Sequence, residues 1–410
     1  MYDAIIVGAR CAGAPMARLL ARKGYRVLLL DKARFPSDTL SVHYIHQPGV
    51  ACLQHWGLLE RVIASNCPPV RRQLVDFGPV VLEAAPPPID LGWAGGSIAD
   101  AYAPRRTILD TLLVEAAAAA GAEVRERFTV DDLLMDGERV TGIRGHAARG
   151  TTVSETARIV IGADGLHSRV ARRVGAPTYN VQPVFTCAYY AYWTDVPVQG
   201  AELYARPERM ILAGPTNDGR TMVIVYWPVA AFHEVRSDIE RHFLAALDLT
   251  PSLAERVRGG TRAERFRGTA DLPNFYRRPH GPGWALVGDA GYHKDPITAQ
   301  GITDAFHDAE VLAAAIDDGF AGRRPLAEAL AAYEQARNER TGPLYELTGQ
   351  FATLQPPPPE MQQLIAALRH NPEQADRFIG TIAGTVPIPE FFAPENLARI
   401  TRPVDQGVAA

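Results

Sequence analysis

The sequence predicts an α/β fold in which a domain with a parallel sheet is interrupted by a β-rich insertion and followed by a helical C-terminal tail. Strands alternate with helices at the N-terminus, aromatic and β-branched residues fill the middle, and helical spacing dominates the last third. The 410 residues are enough for two or three domains. The predicted boundaries are 1–175 for the first part of the α/β domain, with small strands of the second domain near 70–102, 176–265 for the β-rich domain, 266–345 for the second part of the α/β domain, and 346–410 for the tail.

The N-terminal stretch reads as a strand, a glycine-containing turn, a helix and a second strand that ends at Asp31. In such a unit the free N–H groups and the dipole at the helix start bind the pyrophosphate of a dinucleotide. Asp31 lies eighteen residues past Gly13, close to the offset of about twenty at which an acid binds the ribose. The middle glycine of the usual G-x-G-x-x-G pattern is replaced by Arg10. A strand-to-helix turn in some other α/β protein is therefore the alternative.

The bulk composition is that of an ordinary globular protein, with 47% hydrophobic and 21% charged residues. A net charge of -4 argues against a nucleic-acid partner. The four cysteines have no C-x-x-C spacing, which favours a reducing compartment and no metal site. We expect a cytoplasmic protein with no membrane partner, because the sequence contains neither a signal-peptide pattern nor an apolar stretch long enough to span a bilayer.

Local patterns predict the remaining elements in order. Between residues 32 and 177 they indicate a long polar loop over 32–49, helices over 50–63 and 105–120, strands over 71–83, a hairpin over 122–147 and a buried strand over 156–163. From residue 178 onwards they indicate long strands over 186–193 and 210–228, a helix over 232–247, a return over 262–271, a buried strand over 284–287, and helices over 299–316 and 325–354. The β-rich stretch thus lies between two halves of the α/β domain.

Three separated motifs occur in a consistent order and spacing. They are the N-terminal turn with Asp31, the run 162–172 that contains Asp164-Gly165, and Gly288-Asp289-Ala290 followed by the loop 295–302. Together with the run 106–109 they resemble the FAD-dependent aromatic hydroxylases, the flavoprotein monooxygenases typified by para-hydroxybenzoate hydroxylase. The wider superfamily includes geranylgeranyl reductases and flavin halogenases. The resemblance extends from Met1 to about Arg340.

The resemblance implies a Rossmann-like domain that binds FAD, with NAD(P)H as a transient reductant. It further implies that dioxygen forms a flavin C4a-hydroperoxide, which oxygenates an electron-rich aromatic or polyketide-like small molecule. A helix that begins near Gly301 would direct its positive end at the flavin ring. The cofactor-binding residues implied in this way are Gly8, Arg10, Cys11, Ala12, Gly13, Asp31, Lys32, Arg106, Asp164, Gly165, Gly288, Asp289, Pro296, Gln300, Gly301 and Ile302.

The substrate is then expected between the flavin and the β-rich insertion. The predicted substrate-binding residues are Tyr190, Tyr192, Met210, Leu212, Met222, Ile224 and Tyr226. Core packing is the alternative for each, because only one face of a strand can line a pocket. His43 and His293 are the predicted catalytic groups, for proton transfer, and satisfied loop histidines are the alternative.

Two other functions stay open, a geranylgeranyl reductase-like enzyme that reduces isoprenoid double bonds and a non-catalytic flavin-binding protein. The wording Asp-Pro-Ile-Thr over 295–298 leans toward the reductase and halogenase branches. A halogenase is disfavoured because the W-x-W-x-I-P motif is absent and the chain has only three lysines. The tail beyond residue 356 has two interpretations, a cap over the substrate pocket and a subunit contact in a homodimer.

Overall fold

A computed structural model of the chain describes residues 1–148 and 150–401. Strands of the first part are β1 (Tyr2–Val7), β2 (Val27–Leu30), β3 (Pro69–Val70), β4 (Gln73–Asp76), β5 (Val81–Ala84), β6 (Ala101–Tyr102), β7 (Glu123–Arg125), β8 (Phe128–Asp136), β9 (Arg139–Ala147) and β10 (Thr152–Gly162). Helices of the same part are α1 (Gly13–Arg22), α2 (Gln47–His55), α3 (Leu59–Ile63), α4 (Arg106–Ala119) and α5 (Arg169–Arg173).

The middle and the end of the chain add a second set of strands and most of the helices. The middle contains β11 (Thr178–Gln182), β12 (Thr186–Thr194), β13 (Ala201–Arg206), β14 (Arg209–Pro215), β15 (Thr221–Pro228), α6 (Phe232–Ser237), α7 (Ile239–Leu247), α8 (Pro251–Gly259), β16 (Thr261–Arg262) and β17 (Arg267–Thr269). The end contains β18 (Asn274–Arg277), β19 (His280–Gly281), β20 (Trp284–Leu286), β21 (Tyr292–His293), α9 (Gly301–Phe320), α10 (Leu326–Ala352), α11 (Pro359–Leu368), α12 (Pro372–Ala383), α13 (Ile388–Phe391) and α14 (Pro394–Thr401).

The first sheet is built on five parallel strands in the order β20-β10-β1-β2-β7. Successive side chains of a strand point to opposite faces, so Ile6 packs with the helices on one side and Ile5 with the β8–β9 hairpin on the other. Both faces are therefore covered, which explains the continuous apolar runs of β1 and β2. The carboxyl ends of the parallel strands meet at one edge.

The second sheet has the order β16-β12-β15-β14-β13-β4-β5, with β17 also paired to β12. One face carries Tyr189, Trp193 and Trp227 and is covered by α6 to α8. The other face carries Tyr190 and Tyr226 and packs with residues at the end of α10. Because β4 and β5 come from the first part of the chain, this sheet joins segments that are far apart in sequence.

The described part of the tail packs on the edge of the second sheet within the same chain. Phe378 and Phe391 of the tail share an apolar cluster with Val75 and Leu82 of β4 and β5. The side-chain amide of Gln300 also donates to a carbonyl group of α12. The tail thus supports both the second sheet and the loop that precedes α9.

The predicted fold class is confirmed. Some elements differ from their predicted bounds. The helix predicted over 232–247 is two helices, because the chain breaks at Asp238. The Asp238 carboxylate caps α7 by accepting a hydrogen bond from the Arg241 N–H at 3.2 Å. Helix α10 crosses the predicted boundary at residue 345. The predicted domain boundaries remain predictions. Positions 402–410 of the predicted tail lie outside the described residues. Each helix within residues 1–148 and 150–401 is too short or too polar to cross a bilayer.

Candidate active site

A cavity of about 770 Å³ opens at the carboxyl ends of the parallel strands. Its walls include Gly8 after β1, Asp31 after β2, Ala163 after β10 and Gly288 after β20. Ligands of open α/β sheets bind at this edge. The cavity extends from there to the face of the second sheet that carries Tyr226.

The turn between β1 and α1 depends on two glycines. Gly8 has φ of 103°, and a β-carbon on it would lie 2.3 Å from the Ala163 carbonyl oxygen. A β-carbon on Gly13 would lie 1.8 Å from the Gly8 carbonyl oxygen. The start of α1 has no side-chain cap, and Ala12 at its N-cap lines the cavity. The turn therefore presents uncapped backbone N–H groups to a ligand.

Asp31 braces this turn from the end of β2. Its buried carboxylate accepts hydrogen bonds from the backbone N–H groups of Ala9 at 2.8 Å and Ala33 at 2.7 Å. A carboxylate has further acceptor capacity beyond these two bonds. The position of Asp31 beside the cavity is compatible with a ribose contact, which remains a prediction.

Arg10, which replaces the middle glycine, is held by a residue that the sequence patterns did not single out. Its guanidinium lies 2.5 Å from one oxygen of Asp110, and Arg106 lies 2.9 Å from the other. Burial lowers the pKa of Arg106, but the neighbouring Cys11 and Asp110 outweigh this effect and raise it above its ordinary value. Asp110 stands four residues after Arg106 on α4, and this i,i+4 spacing was the available signal.

The loop 295–300 is shaped by a buried acid. The Asp295 carboxylate accepts from the Thr186 hydroxyl at 2.6 Å and from the Ile297 N–H at 3.1 Å. Burial raises the pKa of Asp295 to about 6. Helix α9 then begins at Gly301 without a side-chain cap, and Gly301 lines the cavity. The predicted helix start at Gly301 is thus found at the cavity wall.

A buried cluster of ionic groups lies behind this loop. Lys294 is paired with Asp304 and donates to the Tyr292 hydroxyl at 2.7 Å. Arg340 lies 2.7 Å from Asp304 and 2.8 Å from Asp308. Burial raises the pKa of Asp304, but Lys294 and Arg340 outweigh it and hold that pKa at about 2. The charge of Lys294 is therefore balanced inside the protein.

The seven predicted substrate-binding residues share one face of the second sheet. Tyr190, Ile224 and Tyr226 line the cavity. The other four are placed away from the cavity lining in the same apolar cluster, namely Tyr192, Met210, Leu212 and Met222. The hydroxyl groups of Tyr190 and Tyr226 are buried and have no hydrogen-bond partner among the described residues.

His43 is buried at the cavity wall in a left-handed backbone conformation, with φ of 62°. Its ring stacks on Tyr192 at 5.8 Å and its Nε2 contacts the Tyr192 hydroxyl, while Nδ1 has no partner within the described residues. Burial and the charges of Arg106, Arg105 and Arg267 lower the pKa of His43 to about 3. The imidazole is therefore neutral at physiological pH, with Nδ1 free to donate or accept.

The other predicted site residues are distributed as follows. His293 lines the cavity and its Nδ1 is bonded to the Pro273 carbonyl group. Every predicted cofactor-binding residue lines the cavity except Gly13. Asp164 accepts from the Ser168 hydroxyl and the Arg169 N–H, so its carboxylate supports the start of α5.

A family model described as an FAD binding domain matches residues 1–346. The chain belongs to this family. It is an FAD-dependent oxidoreductase, and the resemblance inferred from the three motifs is confirmed. Within the described residues, no group of three or more His, Cys, Asp or Glu side chains is placed to hold a metal ion.

Curated relatives of this flavoprotein have different activities. A digeranylgeranylglycerophospholipid reductase of Methanocella arvoryzae is 27% identical, over 83% of this chain and 84% of the relative. A kynurenine 3-monooxygenase of Salinispora tropica is 28% identical, over 84% of this chain and 78% of the relative. Among solved structures, the flavin-dependent brominase Bmp2 has a TM-score of 0.81 at 20% identity, over 97% of both chains, which shows a shared fold.

The residues of the flavoprotein fit its cofactor. The glycine turn leaves no space for a β-carbon at Gly8, and the uncapped starts of α1 and α9 both reach the same cavity. A helix start with free N–H groups stabilises negative charge. The start of α1 would thus stabilise the pyrophosphate, and the start of α9 would stabilise the negative charge of the reduced flavin ring. The assignment of these residues to FAD binding remains a prediction, and the geometry of the cavity is compatible with it.

Proposed function

We propose that the flavoprotein is a monooxygenase that uses NAD(P)H and dioxygen to oxygenate an electron-rich aromatic or polyketide-like small molecule. The observation that carries the proposal is the continuity of the cavity from the FAD-binding edge to the aromatic sheet face. Tyr190 and Tyr226 offer this ligand a hydroxyl group each at a buried surface. A substrate bound there would be held beside the cofactor and away from bulk water.

When bound, FAD supplies electron transfer from the nicotinamide to dioxygen. The protein contributes binding, orientation and electrostatics. The uncapped start of α9 would stabilise negative charge near Gly301. The neutral imidazole of His43 would donate or accept a hydrogen bond at Nδ1, and the apolar side chain of Ile224 would exclude water from the substrate side.

The second candidate is reduction of isoprenoid double bonds, and the reductase relative favours it. The cavity favours oxygenation instead. A hydrocarbon chain offers no hydrogen bond to Tyr190 or Tyr226, and an unpaired buried hydroxyl costs about 1 to 3 kcal/mol. A ligand with oxygen groups avoids that cost, so monooxygenation is the function that we propose first.

The test follows NAD(P)H oxidation by the purified FAD-bound protein under isotopically labelled dioxygen, with a panel of phenols and polyketide-like compounds. We expect substrate-dependent oxidation and a product that carries one labelled oxygen atom. An isoprenoid product that gains two hydrogens in the absence of dioxygen would establish the reductase instead. Release of hydrogen peroxide at the same rate with every compound, and no labelled product, would contradict monooxygenation.

A further inference from the structure

We propose that the sheet end of the cavity selects a neutral ligand with hydrogen-bonding oxygen groups and rejects carboxylate ligands of the same size. The inference rests on the proposed function, because it defines the substrate class of the same site. Three buried polar atoms carry it, the hydroxyl oxygens of Tyr190 and Tyr226 and Nδ1 of His43. None of the three has a hydrogen-bond partner among residues 1–148 and 150–401.

Their burial makes these groups informative. Tyr226 is fully buried, Tyr190 is 4% exposed and His43 is 1% exposed. Buried polar groups in native proteins are nearly always hydrogen-bonded, because an unmet donor or acceptor loses its water without replacement. The three residues line one cavity from two neighbouring strands, β12 and β15, and from the loop before α2. A ligand with oxygen groups would satisfy them together.

The charges around this end of the cavity determine the ligand's charge. In the described part of the chain, the second sheet contributes no arginine or lysine to the cavity lining. The charges of Arg106, Arg105 and Arg267 act on His43. Each is paired with an acid, Arg106 with Asp110 at 2.9 Å, Arg105 with Glu264 at 2.6 Å and Arg267 with Asp38 at 2.8 Å. A carboxylate on the ligand would therefore be buried without a cation, which is strongly unfavourable.

The buried acid Asp295 also disfavours a carboxylate ligand. Asp295 lines the cavity, and its carboxyl group is held by the Thr186 hydroxyl. A ligand carboxylate beside it would add like-charge repulsion. Neutral hydroxyl and carbonyl groups avoid both costs, since they need only the neutral hydroxyls of Tyr190 and Tyr226 and the neutral ring of His43.

The experiment titrates the FAD-bound protein with three probes that share one ring system, 2-naphthol, naphthalene and 2-naphthoate, and follows the absorbance of the bound flavin. We expect 2-naphthol to bind at least about tenfold more tightly than either of the other two. Tyr226→Phe should weaken 2-naphthol binding about tenfold and leave naphthalene binding unchanged. Tyr190→Phe should act in the same direction.

Tyr189→Phe is the matched control. Tyr189 stands beside Tyr190 on β12 but points to the opposite face, where its ring stacks on Phe232 at 6.3 Å. The Tyr189→Phe variant should bind all three probes with the affinities of the wild type. Flavin content must stay unchanged in Tyr226→Phe, and a loss of flavin would overturn the inference by assigning the hydroxyl to the cofactor.

Equal or tighter binding of 2-naphthoate, or no response to 2-naphthol, would also overturn the inference. The titration needs neither NAD(P)H nor dioxygen, so its result is separate from the labelling experiment. A protein that prefers 2-naphthol as expected but never inserts oxygen would keep the ligand class and overturn the proposed function.

Discussion

The two ends of the cavity treat their polar side chains in opposite ways. At the nucleotide end, Asp31 holds the glycine turn and Asp110 holds both Arg10 and Arg106. At the sheet end, the hydroxyls of Tyr190 and Tyr226 have no partner among the described residues. The polar side chains of the nucleotide end are therefore paired within the protein, which suits the proposed binding of the cofactor by backbone N–H groups. The sheet end leaves hydroxyl groups available to the ligand that we propose for it.

The largest effect is expected from breaking the finished end. Asp110→Ala would leave two guanidinium groups without their buried partner, which costs about 3 to 5 kcal/mol of the free energy of unfolding. Urea unfolding and flavin content would measure the loss. Glu115→Ala is the control on the same helix, since Glu115 forms an exposed pair with Arg61 and its loss should change neither quantity. Equal behaviour of the two variants would show that Asp110 is dispensable.

A second prediction concerns protons at the sheet end. His43 has a folded-state pKa of about 3 against an ordinary value of 6.5, so the unfolded chain binds a proton that the fold excludes. Stability from this residue is complete above 6.5 and falls as the pH falls toward 3. His43→Asn suits the left-handed backbone and removes the titration.

Between pH 7 and about pH 5, the wild type should lose about 2 kcal/mol more unfolding free energy than His43→Asn. Urea titrations of both proteins at fixed FAD concentration measure this difference. The pKa of His46 is also lowered, to about 4, but His46 is present in both proteins and its effect cancels. Parallel losses in the two proteins would mean that His43 is accessible to protons in the fold.

A third prediction restores the usual glycine. Arg10→Gly removes the bonds from its guanidinium to Asp110 and to the Ser37 carbonyl group. Because Asp110 then keeps Arg106 and the Cys11 thiol but loses one of its two cations, the free energy of unfolding should fall by about 1 to 2 kcal/mol, and FAD should bind more weakly. Tighter FAD binding after the substitution would show that Arg10 obstructs the cofactor.

The smallest effect is expected where the tail supports the site. Gln300→Met leaves an α12 carbonyl group without its donor and should reduce the free energy of unfolding by about 1 kcal/mol. Hydrogen exchange should quicken in α12. Gln335→Met is the control, because Gln335 is exposed and, among the described residues, forms its side-chain hydrogen bond along its own helix to Glu339. An unchanged exchange rate in α12 would show that the hydrogen bond from Gln300 does not stabilise the tail.

Local patterns predicted the elements whose cause is local. The strand, turn and helix at the N-terminus follow from apolar periodicity and from Gly8, whose positive φ no other residue adopts easily. Strand alternation also placed Tyr190, Ile224 and Tyr226 on one face with the other four candidates. Which part of that face reaches the cavity depends on how the second sheet meets the first, and no local pattern contains that information.

The role of Asp110 shows the same limit. Its i,i+4 spacing to Arg106 is visible in the sequence, but its bond to Arg10 joins residues one hundred positions apart. The pairing of β13 with β4 likewise connects distant segments. Such contacts form only when the chain has folded, because loop closure and packing choose among many partners of similar chemistry.

The sequence by itself determined the α/β class, because glycine geometry and apolar periodicity act within a few residues, and its three motifs identified the FAD-binding family by resemblance. Only the tertiary structure decided that Arg10 is neutralised by Asp110 and that the tail supports the second sheet. It also decided that Tyr190, Tyr226 and His43 bring to one cavity polar atoms that have no partner in the described part of the chain. Hydrogen-bond satisfaction and burial depend on neighbours from distant segments, and these neighbours exist only in the folded chain.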